Sequence, residues 1–225
     1  MARAMASAVA AAGMHIFGAP ALAQTPVALV EDVRGNPAGI EIMDYVATGK
    51  VIKLSSRDSI VLGYLTSCWH ETVTGGTVII GREQSDVQGG KVTRTKVACD
   101  GGKIALTGRQ AQDSAGTIFR SADEEPLLTL YGLSPFVEAT GGDALLIERT
   151  DGLEEVHIVT LPARQGTRRS FYDFATAKKR LTAGGSYRAY RASIGSREIF
   201  FRIDPGAKPS GVPIISRLLR IPPAS

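Results

Sequence analysis

The sequence predicts an all-β protein of two domains, a compact N-terminal β-roll or sandwich followed by a C-terminal β-sandwich. Three observations carry that prediction. Short runs rich in Val, Ile, Thr and Tyr recur at roughly 8–12-residue intervals. Gly and Asp clusters separate them, as tight turns require. The i, i+3, i+4 repeat of an amphipathic helix is hard to find after residue 23.

The first 23 residues stand apart from this pattern. Arg3 supplies a short positive start, Ala4 to Phe17 form a mostly apolar run, and Ala21-Leu22-Ala23 has the A-x-A form of a signal-peptidase site. Residues 1–23 are therefore expected to be a cleaved secretory signal, with a mature chain beginning at Gln24. His15 interrupts the run, which is shorter than the ~20 apolar residues of a membrane span. An uncleaved N-terminal anchor is the competing reading. No cysteine follows the site, so lipid attachment is not expected.

Residues 24–122 are read as the first domain. VALVEDV (27–33) is the first strand, ending at the Arg34-Gly35-Asn36-Pro37 turn. IEIMDYV (40–46) is β-prone and stops before Thr48-Gly49. Val51, Ile52 and Leu54 predict a short strand, Ser55 to Asp58 a turn, and SIVLGYL (59–65) a second strand. WHETVT (69–74) is expected to run to a reversal at Gly75-Gly76, with TVII (77–80) returning. After Gly89-Gly90, KVTRTKVAC (91–99) places Thr93, Thr95, Val97 and Cys99 on one face and Arg94 and Lys96 on the other. Asp100-Gly101-Gly102 then turns into KIALT. Between 107 and 123 small and polar residues interrupt the rhythm, allowing a short helix near Arg109 to Gln112 and an edge strand over Thr117 to Arg120. Asp123 to Pro126 reads as the linker.

The second domain spans 123–204. Its strands are LLTLYG (127–132), ALLIER (144–149), EVHIVTL (155–161), SYRAYRA (186–192) and EIFFRI (198–203). SFYDFATAKKRL (170–181) stays open between helix and strand, because Ala and Lys favour the first and Phe171, Tyr172 and Phe174 the second. Residues 205–225 hold five prolines and are expected to be an extended, partly docked tail.

Charge is mild in sum and uneven along the chain. The 26 Lys and Arg against 22 Asp and Glu give +4, too little to imply nucleic acid. Residues 121–155 carry nine acidic groups and one basic, whereas 156–225 carry thirteen basic and three acidic. Adjacent strands can neutralise one another across a sheet, or the surplus can form a basic face. Cys68 and Cys99 are the two cysteines. In an exported chain such a pair forms a bridge, and closing a loop of about 30 residues stabilises by roughly 3–4 kcal/mol. Two buried free thiols are the alternative.

Two resemblances follow from the strand and turn layout. MDYVATGKVIKLSSRDSIVLGYL with ETVTGGTVIIG sets Gly49, then Ile52 and Leu54, a polar turn, an apolar strand and a Gly-Gly turn in the order that resembles the FecR-like β-domain of bacterial periplasmic proteins. The likeness covers about residues 27–83. FecR-type sensors also carry a cytoplasmic segment and a membrane helix, which are not found here, so the resemblance does not extend to sigma-factor control. Leu181-Thr182-Ala183-Gly184-Gly185-Ser186-Tyr187 is similar to the turn entering the sixth strand of fibronectin type III and immunoglobulin-like sandwiches. That resemblance covers about 125–204. It implies that the Tyr187 hydroxyl bonds back to the backbone and that FYDFA is a strand.

Residues with catalytic or ligating chemistry are few. His70 and His157 lie in no zinc-binding spacing, and no metal or other cofactor is expected. Cys68 and His70, two apart on a strand, share a face and form the one nucleophile pair the sequence offers; a strand end beside a disulfide is the plainer reading. No Walker A loop, G-x-S-x-G elbow or G-x-G-x-x-G is present, and the Gly-Gly pairs read as turns. Glu124-Glu125 and Glu154-Glu155 read as solvated acidic edges, since strand neighbours point to opposite faces. Arg164, Arg168, Arg169, Lys178, Lys179 and Arg180 surround Phe171, Tyr172 and Phe174. That combination suits an anionic partner, and export disfavours nucleic acid.

The expectation from sequence is an exported, non-enzymatic binding or structural module of the bacterial cell envelope, periplasmic or secreted. Its partner would be a protein or an anionic envelope component. An enzyme acting on carbohydrate or cell wall is the competing class. A subunit of a secreted assembly, joined through the Pro-rich tail or an open sheet edge, is the third.

Overall fold

The computed structural model describes residues 25–101, 128–140, 144–161, 169–192 and 198–221. It is all-β: fourteen strands and one 3-10 turn, Ile214–Ser216, make up the regular structure of the described residues. The helix expected near 109–112, the edge strand at 117–120 and the linker near 123 lie outside them, as do residues 1–24.

The N-terminal half is one sheet. β1 (Pro26–Arg34), β2 (Tyr45–Ala47), β3 (Val51–Tyr64), β4 (Trp69–Ile80) and β5 (Ser85–Gln88) lie in the order β2-β1-β3-β4-β5, and β6 (Lys91–Lys96) also pairs with β4. All of these pairings are antiparallel. Two expected reversals are instead bends within long strands. The polar run Ser55–Asp58 bulges out of β3 between the pairs Leu54↔Gly76 and Ser59↔Thr74, and the strand resumes in the same direction. Asp58 closes the bulge by accepting the Ser55 N–H at 2.8 Å.

Gly75 and Gly76, at φ 65° and 81°, bend β4 without reversing it. The first half of β4 pairs with β6 and the second with β5. The bend is close-packed: a Cβ on Gly76 would sit 2.4 Å from the Gln88 carbonyl, and one on Gly90 would sit 2.1 Å from that of Gly75. Glycine is demanded there by backbone contact as well as by φ. Residues 40–44, expected in a strand, form a loop anchored by buried Ile40 and Met43. Met43 adopts φ 69°, outside the β region.

The alternation expected over residues 91–96 is kept, but Val97 and Cys99, expected on the Thr93–Thr95 face, lie beyond the end of β6 and are half-buried. Thr93 and Thr95 face solvent, whereas Val92 and Arg94 are half-buried. Arg94 turns inward because Glu71, fully buried on β4 opposite it, supplies a counter-charge at 2.7 Å. An ion pair has overridden the binary pattern.

The C-terminal half stacks two sheets. β7 (Leu128–Gly132), β9 (Ala144–Arg149), β10 (Val156–Thr160), β12 (Ser186–Arg191) and β13 (Ile199–Lys208) form the order β10-β9-β12-β13-β7. β8 (Phe136–Thr140), β11 (Arg169–Asp173) and β14 (Leu218–Ile221) form the order β11-β8-β14. Leu145, Ile147, Val159, Tyr187, Ala189, Phe201 and Ile203 from the first sheet meet Val137, Ala139, Leu219 and Ile221 from the second in one core. The open segment 170–181 resolves into β11 followed by turns, with Phe174 fully buried.

Residues read as a tail belong to the frame. Residues 204–208 extend β13, and β14 pairs in parallel with β8. Ile215 and Leu218 fill a third core with Leu29, Met43 and Leu65 of the N-terminal half. The proline spacing leaves room for this: the Pro-free run 214–221 contributes both the 3-10 turn and β14.

Candidate functional site

Cys68 and Cys99 are bonded, with their Cα atoms 5.6 Å apart. A nucleophilic Cys68–His70 pair is thereby excluded, since the thiol is consumed. His70 instead lies 3.4 Å from the Glu31 carboxylate. Glu31, buried on β1, accepts the N–H groups of Ile214 and Ile215, both at 2.8 Å. It thus holds the start of the 3-10 turn against the N-terminal sheet. Glu71 is equally committed: it pairs with Arg94, accepts the Ser85 N–H at 3.2 Å, and Arg94 in turn donates to the Ser85 carbonyl. Among the described residues no group of His, Cys, Asp and Glu could hold a metal ion.

Four of the six residues of the expected basic cluster lie among the described residues. Arg164 and Arg168 lie outside the described residues. Arg169, on β11, reaches the seam between the halves, where it donates to the Met43 carbonyl at 2.8 Å. Lys178, Lys179 and Arg180 follow in the turns after β11, with Lys178 and Arg180 exposed and Lys179 5.9 Å from the centre of the Tyr172 ring. Asp173 organises this turn by accepting the Ala175 N–H, while the Arg217 guanidinium forks onto its two oxygens at 2.6 and 3.4 Å. Burial raises the Asp173 carboxyl, but Arg217 outweighs it and holds the group below the usual carboxylate range.

At the seam, chemistry from both halves converges on Glu138 of β8. Tyr45 of β2 donates its hydroxyl to Glu138 at 2.5 Å, and Arg169 and Arg220 each approach the same carboxylate at 3.5 Å. Both guanidinium groups lie over the Tyr45 ring, at 5.1 and 4.7 Å from its centre. Burial, then the Glu138 charge, drives the Tyr45 phenol far above its ordinary range. Tyr45 also borders a cavity of about 550 Å³ lined by residues 39–40 and 44–50, to which Asp44 brings the carboxylate and Lys50 the amine. Sequence reading missed this cluster because Tyr45 and Glu138 are 93 positions apart.

The same three residue types recur on the outer face of the five-stranded sheet. Tyr190 donates to Glu148 at 2.7 Å, Arg188 pairs with Glu148 at 2.8 Å, and the Arg188 guanidinium stands 5.2 Å over the Tyr190 ring. Around them Val156, Ile158 and Phe200 are 60%, 62% and 49% exposed. The register aligns Val156, Glu148, Arg188 and Phe200 in one row across β10, β9, β12 and β13. Among the described residues no strand packs on this face. The sequence carried one signal for it: in β10, Val156 and Ile158 are apolar on the face opposite core-facing Val159, which a half-solvated strand does not need.

At the end of the sandwich, the Thr182 N–H donates to the Tyr187 hydroxyl at 2.9 Å. The Tyr187 ring lies against Gly185, where a Cβ would come within 2.7 Å of it. Tyr187 donates onward to Glu155 at 2.7 Å, and burial together with that bond raises its phenol to about 12. Glu155 also accepts from Thr182 and faces His157 at 3.0 Å, so it is a bonded group and not a solvated edge. Glu154 beside it is exposed. No family model, curated protein or solved structure matches the chain.

Proposed function

We propose that this chain is an exported, non-enzymatic binding or structural module of the bacterial cell envelope. The observation that carries the reading is the outer face of the five-stranded sheet. There Val156, Ile158 and Phe200 stand exposed around a Tyr–Arg–Glu cluster of the same residue types as the one at the seam. Exposed apolar groups with an aromatic and an arginine at their centre are the composition of binding hot spots. The buried carboxylates Glu31, Glu71 and Glu138 are each occupied by backbone N–H groups, arginines or a tyrosine, which supports a structural use for them.

The disulfide supports an oxidising compartment. The Thr182–Tyr187 back-bond supports an immunoglobulin-like reading of the C-terminal half, and the bent antiparallel sheet supports a FecR-like reading of the N-terminal half. The exposed Lys178 and Arg180 supply the contact for an anionic envelope component.

Cell fractionation with N-terminal sequencing tests export, with a mature start at Gln24 expected. Co-sedimentation with isolated envelopes tests binding. Ile158→Lys is expected to abolish retention on a protein partner, and a Lys178→Gln, Lys179→Gln, Arg180→Gln variant to abolish retention on anionic-lipid vesicles. A cytoplasmic protein, or retention indifferent to both variants, defeats the proposal.

A further inference from the structure

We infer that the occupant of the outer sheet face is a second copy of this chain, docked face to face about a two-fold axis running along the strands between β9 and β12. This deepens the binding reading above and rests on it. The argument is the order of side chains across the row: Val156, Glu148, Arg188, Phe200. A two-fold axis midway along that row reverses it. Glu148 of one copy then lies over Arg188 of the second, Arg188 lies over Glu148, and each Val156 lies over a Phe200. Apolar ends meet apolar ends and opposite charges meet in the middle, so the face is complementary to itself, as an isologous interface requires.

The neighbouring row is mixed, since the axis that pairs Leu146 with Tyr190 also sets Ile158 over Glu198, which stands on the same face 3.5 Å from Arg188. Tyr190 and Leu146 are paired in register on β12 and β9, and the same axis sets Leu146 of one copy over Tyr190 of the other. Because the axis runs along the strands, the two sheets meet with their strands nearly aligned, a normal packing for β-sheets once their twist is included. Val156 and Phe200 supply the apolar contact area. The Glu148–Arg188 pairs fix the register, since charges desolvated at an interface add selectivity more reliably than affinity. The seam shows the same chemistry joining two surfaces: Tyr45 of the N-terminal half meets Glu138, Arg169 and Arg220 of the C-terminal half.

Sedimentation velocity on the purified, disulfide-bonded protein tests this. A dimer is expected at about 100 µM, and Val156→Glu and Phe200→Lys are each expected to weaken it by about tenfold or more. An equimolar mixture of the two variants is expected to dimerise again, with one of each per dimer by native mass spectrometry. In that dimer Glu at 156 faces Lys at 200 across one contact, and the other contact is wild type. Circular dichroism checks that each variant is folded, and Phe200→Ser carries the same readout without an added charge. A monomeric wild type, a dimer indifferent to both substitutions, or a mixture that stays monomeric overturns the inference. Wild-type protein that is monomeric yet loses envelope retention on Ile158→Lys overturns the inference and leaves the binding reading standing.

Discussion

The seam and the outer face are built from one set of residue types and differ in what covers them. At the seam, Tyr45, Arg169, Arg220 and Glu138 lie beside a core made of Leu29, Met43, Leu65, Ile215 and Leu218. On the outer face, Tyr190, Arg188 and Glu148 lie beside Val156, Ile158 and Phe200, which face solvent. A carboxylate shut away from water depends on its partners, because losing them leaves a charge with no solvation. An exposed carboxylate is solvated whether or not its partner is present. Identical contacts should therefore differ severalfold in their contribution to folding.

The apolar residues give the widest separation. Ile215→Ala should lower unfolding free energy by about 3–4 kcal/mol, as expected for a large buried aliphatic side chain. Phe200→Ala, measured at a concentration where the protein is monomeric, should change it by about 0.5 kcal/mol or less. Equal effects in urea denaturation would erase the distinction between seam and face.

The acidic pair follows. Glu138→Ala leaves Tyr45, Arg169 and Arg220 without their common acceptor and should cost about 2–3 kcal/mol. Glu148→Ala should leave the denaturation midpoint unmoved, while shifting any self-association.

The tyrosines sharpen the comparison further. Tyr45→Phe removes one hydrogen bond to a buried carboxylate, for a loss of about 1–2 kcal/mol. Tyr190→Phe is expected to leave thermal stability unchanged. A destabilisation by Tyr190→Phe matching that of Tyr45→Phe would place both clusters in the same environment.

Alkaline titration should show the most graded effect. Burial first, then the nearby carboxylates of Glu71 and Glu155 respectively, raise Tyr64 and Tyr187 to about 12. Their unfolded phenols titrate near 10. The folded state therefore holds these protons more tightly. The associated stability is complete below about pH 10 and is lost as pH rises through about 12. Ultraviolet difference spectra should show Tyr45 ionising only with unfolding, because its phenol is raised furthest. Early, reversible ionisation of all tyrosines would contradict the burial of Tyr45, Tyr64 and Tyr187.

Legibility from sequence followed the range of the interactions. The strands 27–33, 144–149, 186–192 and 198–203 were readable because alternation and turn residues act over a few positions. The direction taken at Gly75-Gly76 was not. The same two glycines permit a reversal or a bend, and the choice depends on β5 and β6 arriving on the two halves of β4. The inward facing of Arg94 was not legible for a related reason: it is set by Glu71, 23 residues away on another strand. The Tyr187 back-bond was legible because its partner is five residues upstream. Of the six candidate basic residues, Arg169 turned out to serve the seam, which no local pattern encodes.

Composition, turn spacing and the two cysteines were enough to specify an all-β chain and the pair that bridges it, since those properties are local or have a single solution. Tertiary structure decided the rest. It made the C-terminal residues part of the core, gathered Glu138, Tyr45, Arg169 and Arg220 at the seam, and left Val156, Ile158 and Phe200 uncovered. The physical reason is that burial belongs to the assembled surface: a side chain's exposure depends on which other strands arrive over it, and residues nearly a hundred positions apart cannot report that to one another along the chain.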